Sequence, residues 1–537
     1  LSLTFFITYS AVAMVRFASD LLSTFAKCTK DVEVILGPDT AELGLRIGVH
    51  SGAVTSGVLR GERPRFQLFG DTVNTTARIE ATGQRGKIHV SEATAELLRE
   101  AGKEEWLTKR SELVAAKGKG ELQTYWANTS VTTDSSPAGS DAQSEASFEE
   151  MPVEIKDKLE RFVDWNLEQL VVALKQVVHR RKVSERTSAS KPWREPQNVG
   201  SIPFDEVQEI ITLPKYTSVM SAAPIEELPD VVIQQLRQYV YCIANLYHEN
   251  PFHNFDHASH VVMSVAKLMG RIVAPANIIK NGDSKDLGAT LHDHTYGITS
   301  DPLTQFACAF SALIHDVDHP GIPNTQLCKE NKQLAEMYKY RSVAEQNSLD
   351  LCWNLLMDPQ FEQFLRALCP TADELGRFRQ LVVNAVMATD IMDKDLKQLR
   401  NDRWEKAFHS APEESCHDDV NRKATIVIEH LIQASDVAHT MQHWNIYQKW
   451  NQRLFHEMYL AYEQGRADKN PADFWYNGEL GFFDFYIIPL AKKLKDCGVF
   501  GVSCDEYLNY ALRNRDEWEA RGQEVVAEMV ATLQNKL

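Results

Sequence analysis

The stretch His315-Asp316-Val317-Asp318-His319-Pro320-Gly321 decides the reading of this 537-residue chain. It follows a nearly continuous apolar run at 306–314, so a helix that ends here turns an imidazole and a carboxylate towards one point. Neutral imidazole and carboxylate are the groups that divalent ions take as ligands. Working outward, His253-Asn254-Phe255-Asp256-His257 sets two imidazoles four residues apart, on one face of a helix or at a helix end. Ala434-Ser435-Asp436-Val437 closes another apolar helix and is the natural source of a second carboxylate. Fourteen of the 17 histidines fall at 248–456, well under half the chain, and that enrichment points to a metal site rather than to scattered surface histidines.

Helical periodicity runs through 225–247, 303–314, 361–368, 378–388, 424–434 and 446–463, broken by Pro and Gly, so residues 203–537 read as an all-α domain. Upstream the periods mix. Helix-like spacing at 12–25, alternation at 43–50, a short apolar run at 66–69 and a helix at 74–81 together predict an α/β domain. Residues 127–150 are rich in Ser, Thr, Ala, Asp and Glu and form a flexible linker. That linker and a second polar stretch at 184–201 bracket residues 153–182, whose apolar positions recur at helical spacing. The amphipathic helix either packs on the domain that follows or pairs with a second copy. The expected domains are 1–129, 130–202 and 203–537.

The balance of 57 basic against 74 acidic residues, a net charge of −17, argues against nucleic acid as the partner, since phosphate backbones are held by clustered Lys and Arg. Nine cysteines, an odd number without a C-x-x-C pair, read as reduced thiols of a cytoplasmic protein. Residues 1–15 are uncharged, yet fewer than the roughly 20 that a spanning helix needs and without the basic start of a signal peptide. Cytoplasmic domains are expected, with any membrane anchoring supplied by sequence ahead of Leu1.

Adjacent His and Asp suggest an HD-type metal hydrolase, and order and spacing carry the resemblance further. From residue 204 the chain resembles the catalytic domain of class I cyclic nucleotide phosphodiesterases. The motifs are H-N-x-x-H at 253–257, H-D-x-x-H-P-G at 315–321, S-V-x-E at 342–345, Thr389-Asp390, A-x-D at 434–436 and G-F-x-D-x-x-x-x-P-L at 481–490. The resemblance implies that His257, His315, Asp316 and Asp436 hold a zinc ion, with Asp316 bridging to a second ion, magnesium or manganese. It implies that His253 is the general acid for the departing 3′ oxygen. His319, Glu345, Thr389 and Asp390 would support the site and its waters; capping a helix is the other reading of Thr389 and Asp390. Asp318 would serve only to hold a histidine. The chemistry fits the reaction, because phosphodiester hydrolysis at neutral pH needs an activated water, charge neutralisation and a proton for the leaving group.

Two positions depart from the family pattern. Where the family places a glutamine that reads the purine edge, ahead of the Phe482 clamp, this chain has Glu479. Ionised Glu only accepts hydrogen bonds, which suits the guanine N1–H and N2–H donors better than the adenine edge; the alternative is that Glu479 points to solvent or to a basic neighbour. His439 stands where other members carry Asn or Ala. Hydrolysis of cGMP, cAMP or both is the expectation.

Residues 11–129 resemble the later part of a class III nucleotide cyclase domain, an incomplete ferredoxin-like fold. The motifs are Leu45-Arg46-Ile47-Gly48-Val49-His50-Ser51-Gly52, Phe69-Gly70-Asp71-Thr72-Val73-Asn74-Thr75-Thr76-Ala77-Arg78 and Lys117-Gly118-Lys119-Gly120. By that resemblance Asn74 holds the ribose, Arg78 and Lys117 the triphosphate, and Gln67 faces the base. The two metal-binding aspartate motifs of such cyclases do not occur in the sequence, so no cyclic nucleotide synthesis is expected from this chain alone. A partner cyclase domain could supply them; a homodimer is the other assembly expected. The context of Asn74 is closer to receptor-type guanylyl members. The runner-up reading is a regulatory or dimerising module.

Overall fold

The computed structural model describes residues 3–37, 40, 43–59, 65–111, 113–116, 120–129, 158–184, 202–216, 227–272, 287–409 and 416–534. Two compact units divide the chain, Leu1–Glu154 and Ile155–Leu537.

The first unit is α/β. Its long helix Leu3–Leu36 extends well beyond the expected 12–25, because the apolar spacing is continued on both sides by residues with no helix-breaking Pro or Gly. A four-stranded sheet runs in the order Ile47–Val49, Ile88–Ser91, Thr124–Ala127, Leu107–Lys109, the first pair parallel and the others antiparallel. The expected strand at 43–50 pairs only over Ile47–Val49. Val15, Ala18, Ile88, Val90, Leu98 and Trp106 fill the core between helices and sheet. Buried His89 ties helix Asp71–Ala81 to that sheet, with one ring nitrogen on the Ile79 carbonyl at 2.6 Å and the other on Thr124 Oγ1 at 2.8 Å. Gly48 is required where strand meets helix, since a Cβ there would collide with the Glu80 backbone. Strands Thr55–Leu59 and Arg65–Phe69 form a separate antiparallel pair.

The second unit is helical throughout its described residues. At its centre is helix Pro302–Ile314, buried on every side from Phe306 onward. Such a helix has no solvent face and must be surrounded. Helices Lys158–Ser184, Phe255–Gly270, Ala372–Met387 and Cys416–Asp436 all pack on it. Pro302 opens it at the first helical position, where a missing N–H goes unnoticed. Of the two readings of the amphipathic segment, packing on the helical unit is what the structure shows. Phe162, Val163, Leu170, Leu174 and Val177 enter the same core. Buried Asn166 donates to Ser259 Oγ at 2.8 Å, and Lys158 pairs with Asp256 at 3.0 Å.

A buried ion pair fastens another part of the unit. Arg403, on helix Lys394–Phe408, lies 2.6 Å from Glu429 of helix Cys416–Asp436, with side chains 0% and 4% exposed. Asn384 Nδ2 donates to the same carboxylate at 3.1 Å, and Arg403 Nη2 to the Gln208 carbonyl at 3.1 Å.

Candidate active site

Three helix ends meet at one point. Asn254 caps helix Phe255–Gly270 by accepting the His257 N–H at 3.0 Å, which fixes His257 on the first turn. His315 and Asp316 follow directly on Ile314, the last residue of the central helix. Asp436 is the last residue of helix Cys416–Asp436. His257 Nε2 lies 3.1 Å from Asp436 Oδ1 and 3.7 Å from Asp316 Oδ2; His315 Nε2 lies 3.1 Å from Asp316 Oδ2 and 3.4 Å from Asp436 Oδ1.

The donor set suits a divalent cation. His315 Nδ1 approaches the Ala312 carbonyl at 3.0 Å and, as the donor there, leaves the lone pair of Nε2 facing two carboxylate oxygens. That buried Nε2 has no hydrogen-bond partner. A lone pair set against carboxylates calls for a cation between them, and donor atoms of His257, His315 and Asp436 all fall within 4.8 Å of one another. A proton can stand in for that cation: burial lowers the His315 imidazole, but Asp316 and Asp436 raise it well above its usual value, and against their own burial both carboxyls are held well below the usual carboxylate range.

Beside this cluster stands His253. Its Nδ1 makes a short contact with Glu457, whose other oxygen accepts the backbone N–H groups of Phe252 and His253 at 2.9 Å each. Burial pushes the His253 imidazole down, and Glu457 more than reverses this, to about 9. His319 packs against it, with ring centres 4.0 Å apart and planes tilted by 35°. Burial and then the charge of His253 push His319 down to about 4, so it is neutral.

Residues 252–500 match the family model of the 3′5′-cyclic nucleotide phosphodiesterases, and residues 5–129 that of the adenylate and guanylate cyclase catalytic domain. The chain joins a cyclase-family segment to a phosphodiesterase-family domain. Guanylate cyclase 32E of Drosophila melanogaster is 48% identical over 87 residues, 16% of this chain and 7% of that protein. A probable 3′,5′-cyclic-AMP phosphodiesterase, pde-4 of Caenorhabditis elegans, is 26% identical over 299 residues, 53% of this chain and 39% of that protein. The chain thus spans well under half the length of either relative. The phosphodiesterase domain of Salpingoeca rosetta rhodopsin phosphodiesterase is 21% identical, with a TM-score of 0.42 over 57% of this chain and 87% of that one. The HD-type label is corrected by the family match, because HD domains belong to a different class of phosphodiesterase. An adjacent His-Asp pair is common to both.

Elsewhere in the phosphodiesterase-family domain, Asp318 adopts a left-handed backbone (φ 62) and turns from the cluster to accept His248 Nε2 and Asn347 Nδ2, each at 2.8 Å. Ser342 Oγ donates to Asp390 Oδ2 at 2.7 Å, while Asp390 Oδ1 takes the N–H groups of Met392 and Asp393. Thr389 Oγ1 donates to the Val386 carbonyl. Glu345 accepts Asn324 Nδ2 at 2.9 Å, and burial followed by the charge of Asp390 pushes its carboxyl up to about 8. His439 packs edge-on to Phe252 at 5.5 Å, and burial followed by the charge of His257 takes it down to about 3.

Glu479 points neither to solvent nor to a basic neighbour. It is 8% exposed on helix Trp475–Phe482 and accepts Tyr447 Oη at 2.8 Å. Phe482, one turn on, stacks against Tyr486 at 5.4 Å.

In the cyclase-family segment Asn74 and Arg78 sit a turn apart on helix Asp71–Ala81, and Gln67 is placed on strand Arg65–Phe69 opposite Gly57. Lys117 lies outside the described residues.

Glu457 was missed in the sequence. Its signal is a carboxylate inside an apolar stripe, with Trp450, Leu454 and Ala461 on the same face of helix Trp444–Glu463. A buried acid in such a stripe needs a partner, here His253. Tyr447, one helix away from Glu479 in the fold, carried no local signal.

Proposed function

We propose that residues 203–537, together with the helix Lys158–Ser184, hydrolyse a 3′,5′-cyclic nucleotide to its 5′-monophosphate. The convergence of His257, His315, Asp316 and Asp436 beside the His253–Glu457 pair carries this reading. His257, His315, Asp316 and Asp436 would hold zinc, and Asp316 would share a second ion, magnesium or manganese. Bound divalent ions supply Lewis acidity towards phosphoryl oxygens and activate water. The chain's residues do the rest. Glu457 orients the His253 ring through Nδ1 and keeps it protonated, so that Nε2 donates to the departing 3′ oxygen. Neutral His319 packs against His253 without competing for the proton. Glu345, within electrostatic reach of Asp316 and Asp390, would support the site and its waters together with Thr389 and Asp390, and His439 with Phe252 would wall the pocket. Phe482 clamps the base that Glu479 reads.

The test is turnover of cAMP and cGMP by the full chain supplied with zinc and magnesium, with a chelator-treated control. Turnover of neither nucleotide by the supplied protein overturns the reading.

Glu457→Gln tests the acid. A general acid must be protonated, so activity falls as pH rises through its pKa. Without the Glu457 charge, burial takes His253 below about 9, and the alkaline limb of kcat moves to lower pH while activity near pH 6 changes least.

Glu479 ties base choice to pH. Burial pushes its carboxyl up to about 7, with Tyr447 and Asn451 pulling the other way. Above that pH it only accepts hydrogen bonds, and below it can donate. The ratio of kcat/KM for cGMP over cAMP should therefore rise with pH through about 7. Glu479→Gln should lower the ratio at pH 8 and flatten its pH dependence; an unchanged ratio would remove Glu479 from base reading.

For the cyclase-family segment we propose no synthesis of cyclic nucleotide by this chain alone. Asn74 and Arg78 would serve a site completed by a partner cyclase domain that carries the two metal-binding aspartate motifs, with Gln67 and Lys117 towards the nucleotide. Among the described residues no helix is long and apolar enough to cross a membrane.

A further inference from the structure

Apart from the metal cluster, a cleft of about 150 Å³ opens between helix Lys394–Phe408 and helix Ile488–Asp496. Lys397, Arg400 and Lys493 line it, and among the described residues no carboxylate does. Lys397, Arg400 and Asn401 recur at helical spacing, so one face of the first helix is turned to the cleft. Pro489, Leu490 and Lys493 form the opposing wall.

Three cations gathered in one cleft repel one another, and a chain of net charge −17 has carboxylates to spare for them. Yet none of the three enters an ion pair among the described residues. Arg400 donates to the Asp390 carbonyl at 3.2 Å, and Lys493 to Asn401 Oδ1 at 3.1 Å. Burial depresses the Lys493 ammonium, and Glu405 offsets this only in part. His430, on the floor, adds no charge: burial takes it down to about 4, and Nδ1 meets the Ile426 carbonyl at 2.8 Å.

The remaining donors are those an oxyanion needs. A guanidinium forks onto two phosphate oxygens, and ammonium groups add point charges. The rim is apolar and flat, with the Phe485 ring 84% exposed beside Ile391 and Pro489. A solvated aromatic at the mouth of a cationic pocket is a platform for a planar group.

We propose that this cleft is a second ligand site, which binds a phosphate dianion through Lys397, Arg400 and Lys493. The dianion arrives either as free phosphate or on a nucleoside monophosphate whose base lies on Phe485. Tyr486 separates the cleft from the metal cluster, within electrostatic reach of Asp436 on one side and Arg400 on the other.

The test is calorimetric titration of the full chain, with ions removed by chelator, using inorganic phosphate, 5′-AMP, 5′-GMP and adenosine as probes. Phosphate or the monophosphates should bind, adenosine should not, and Lys397→Glu should weaken binding by at least roughly ten-fold, the loss of one hydrogen bond to a charged group. Lys397 is exposed, so this substitution should preserve the fold, which circular dichroism checks. His253→Ala, which alters the other site and touches no residue of this cleft, should leave the affinity unchanged. Equal affinity for phosphate and the monophosphates identifies the free ion as ligand; tighter monophosphate binding that Phe485→Ala weakens identifies the ester. The proposal is overturned if no phosphate probe binds, if adenosine binds as well as its monophosphate, if Lys397→Glu changes nothing, or if His253→Ala abolishes binding.

Discussion

Asp436→Ala should lower kcat/KM for cAMP and cGMP by at least about 10³-fold, the scale set by several kcal/mol of lost Lewis-acid stabilisation. Its carboxylate is the group closest to His257 Nε2 and also faces His315 Nε2. Without it, two buried imidazoles face one carboxylate, and the site loses both a ligand and the charge that attracts a dication. Metal content measured on the same preparation should fall with activity. The helix that ends at Asp436 is held along its length by core contacts through Ile428, Leu431 and Ile432, so its ellipticity should not change. Turnover within a few-fold of the unsubstituted chain would exclude Asp436 from the centre.

Arg403→Leu should cost about 3–5 kcal/mol of stability, the usual penalty for stranding one member of a buried ion pair. Among the described residues Glu429 would keep the Asn384 amide as its hydrogen-bond partner, in a setting where neither charge reaches water. The double replacement Arg403→Met with Glu429→Leu should recover most of the loss, because two apolar side chains of similar volume need no partners. Urea unfolding followed by helical ellipticity measures both. If the single and double replacements lose equal stability, the ion pair contributes through packing alone.

The residues that meet in the His–Asp cluster were legible because each stands at the end of an apolar helix, where a polar residue has a reason to be. His315 and Asp316 close one such run, and Asp436 closes another. What sequence could not show was which groups distant in the chain would meet. Glu457 reaches His253 across two hundred residues, and its only local trace is the acid in an apolar stripe. Glu479 looked free to face solvent because no acidic side chain announces its own burial; Tyr447 on a neighbouring helix makes that burial tolerable. The strand expected at 43–50 illustrates a different limit: alternation marks residues that could pair, whereas Ile47–Val49 are those for which a partner strand exists.

Helix Lys158–Ser184 bears on how this molecule could be cut or grafted. Its 27 residues lie between two polar stretches and look like part of a tether, yet Phe162, Leu170 and Leu174 complete the packing around the central helix, and Asn166 bonds to the helix that carries His257. The smallest portable piece therefore starts ahead of Lys158. A cut at 203 would strip the central helix of one of its walls and leave an oily groove open to self-association, whereas a fusion joined ahead of 158 would pull directly on a wall of the helical core.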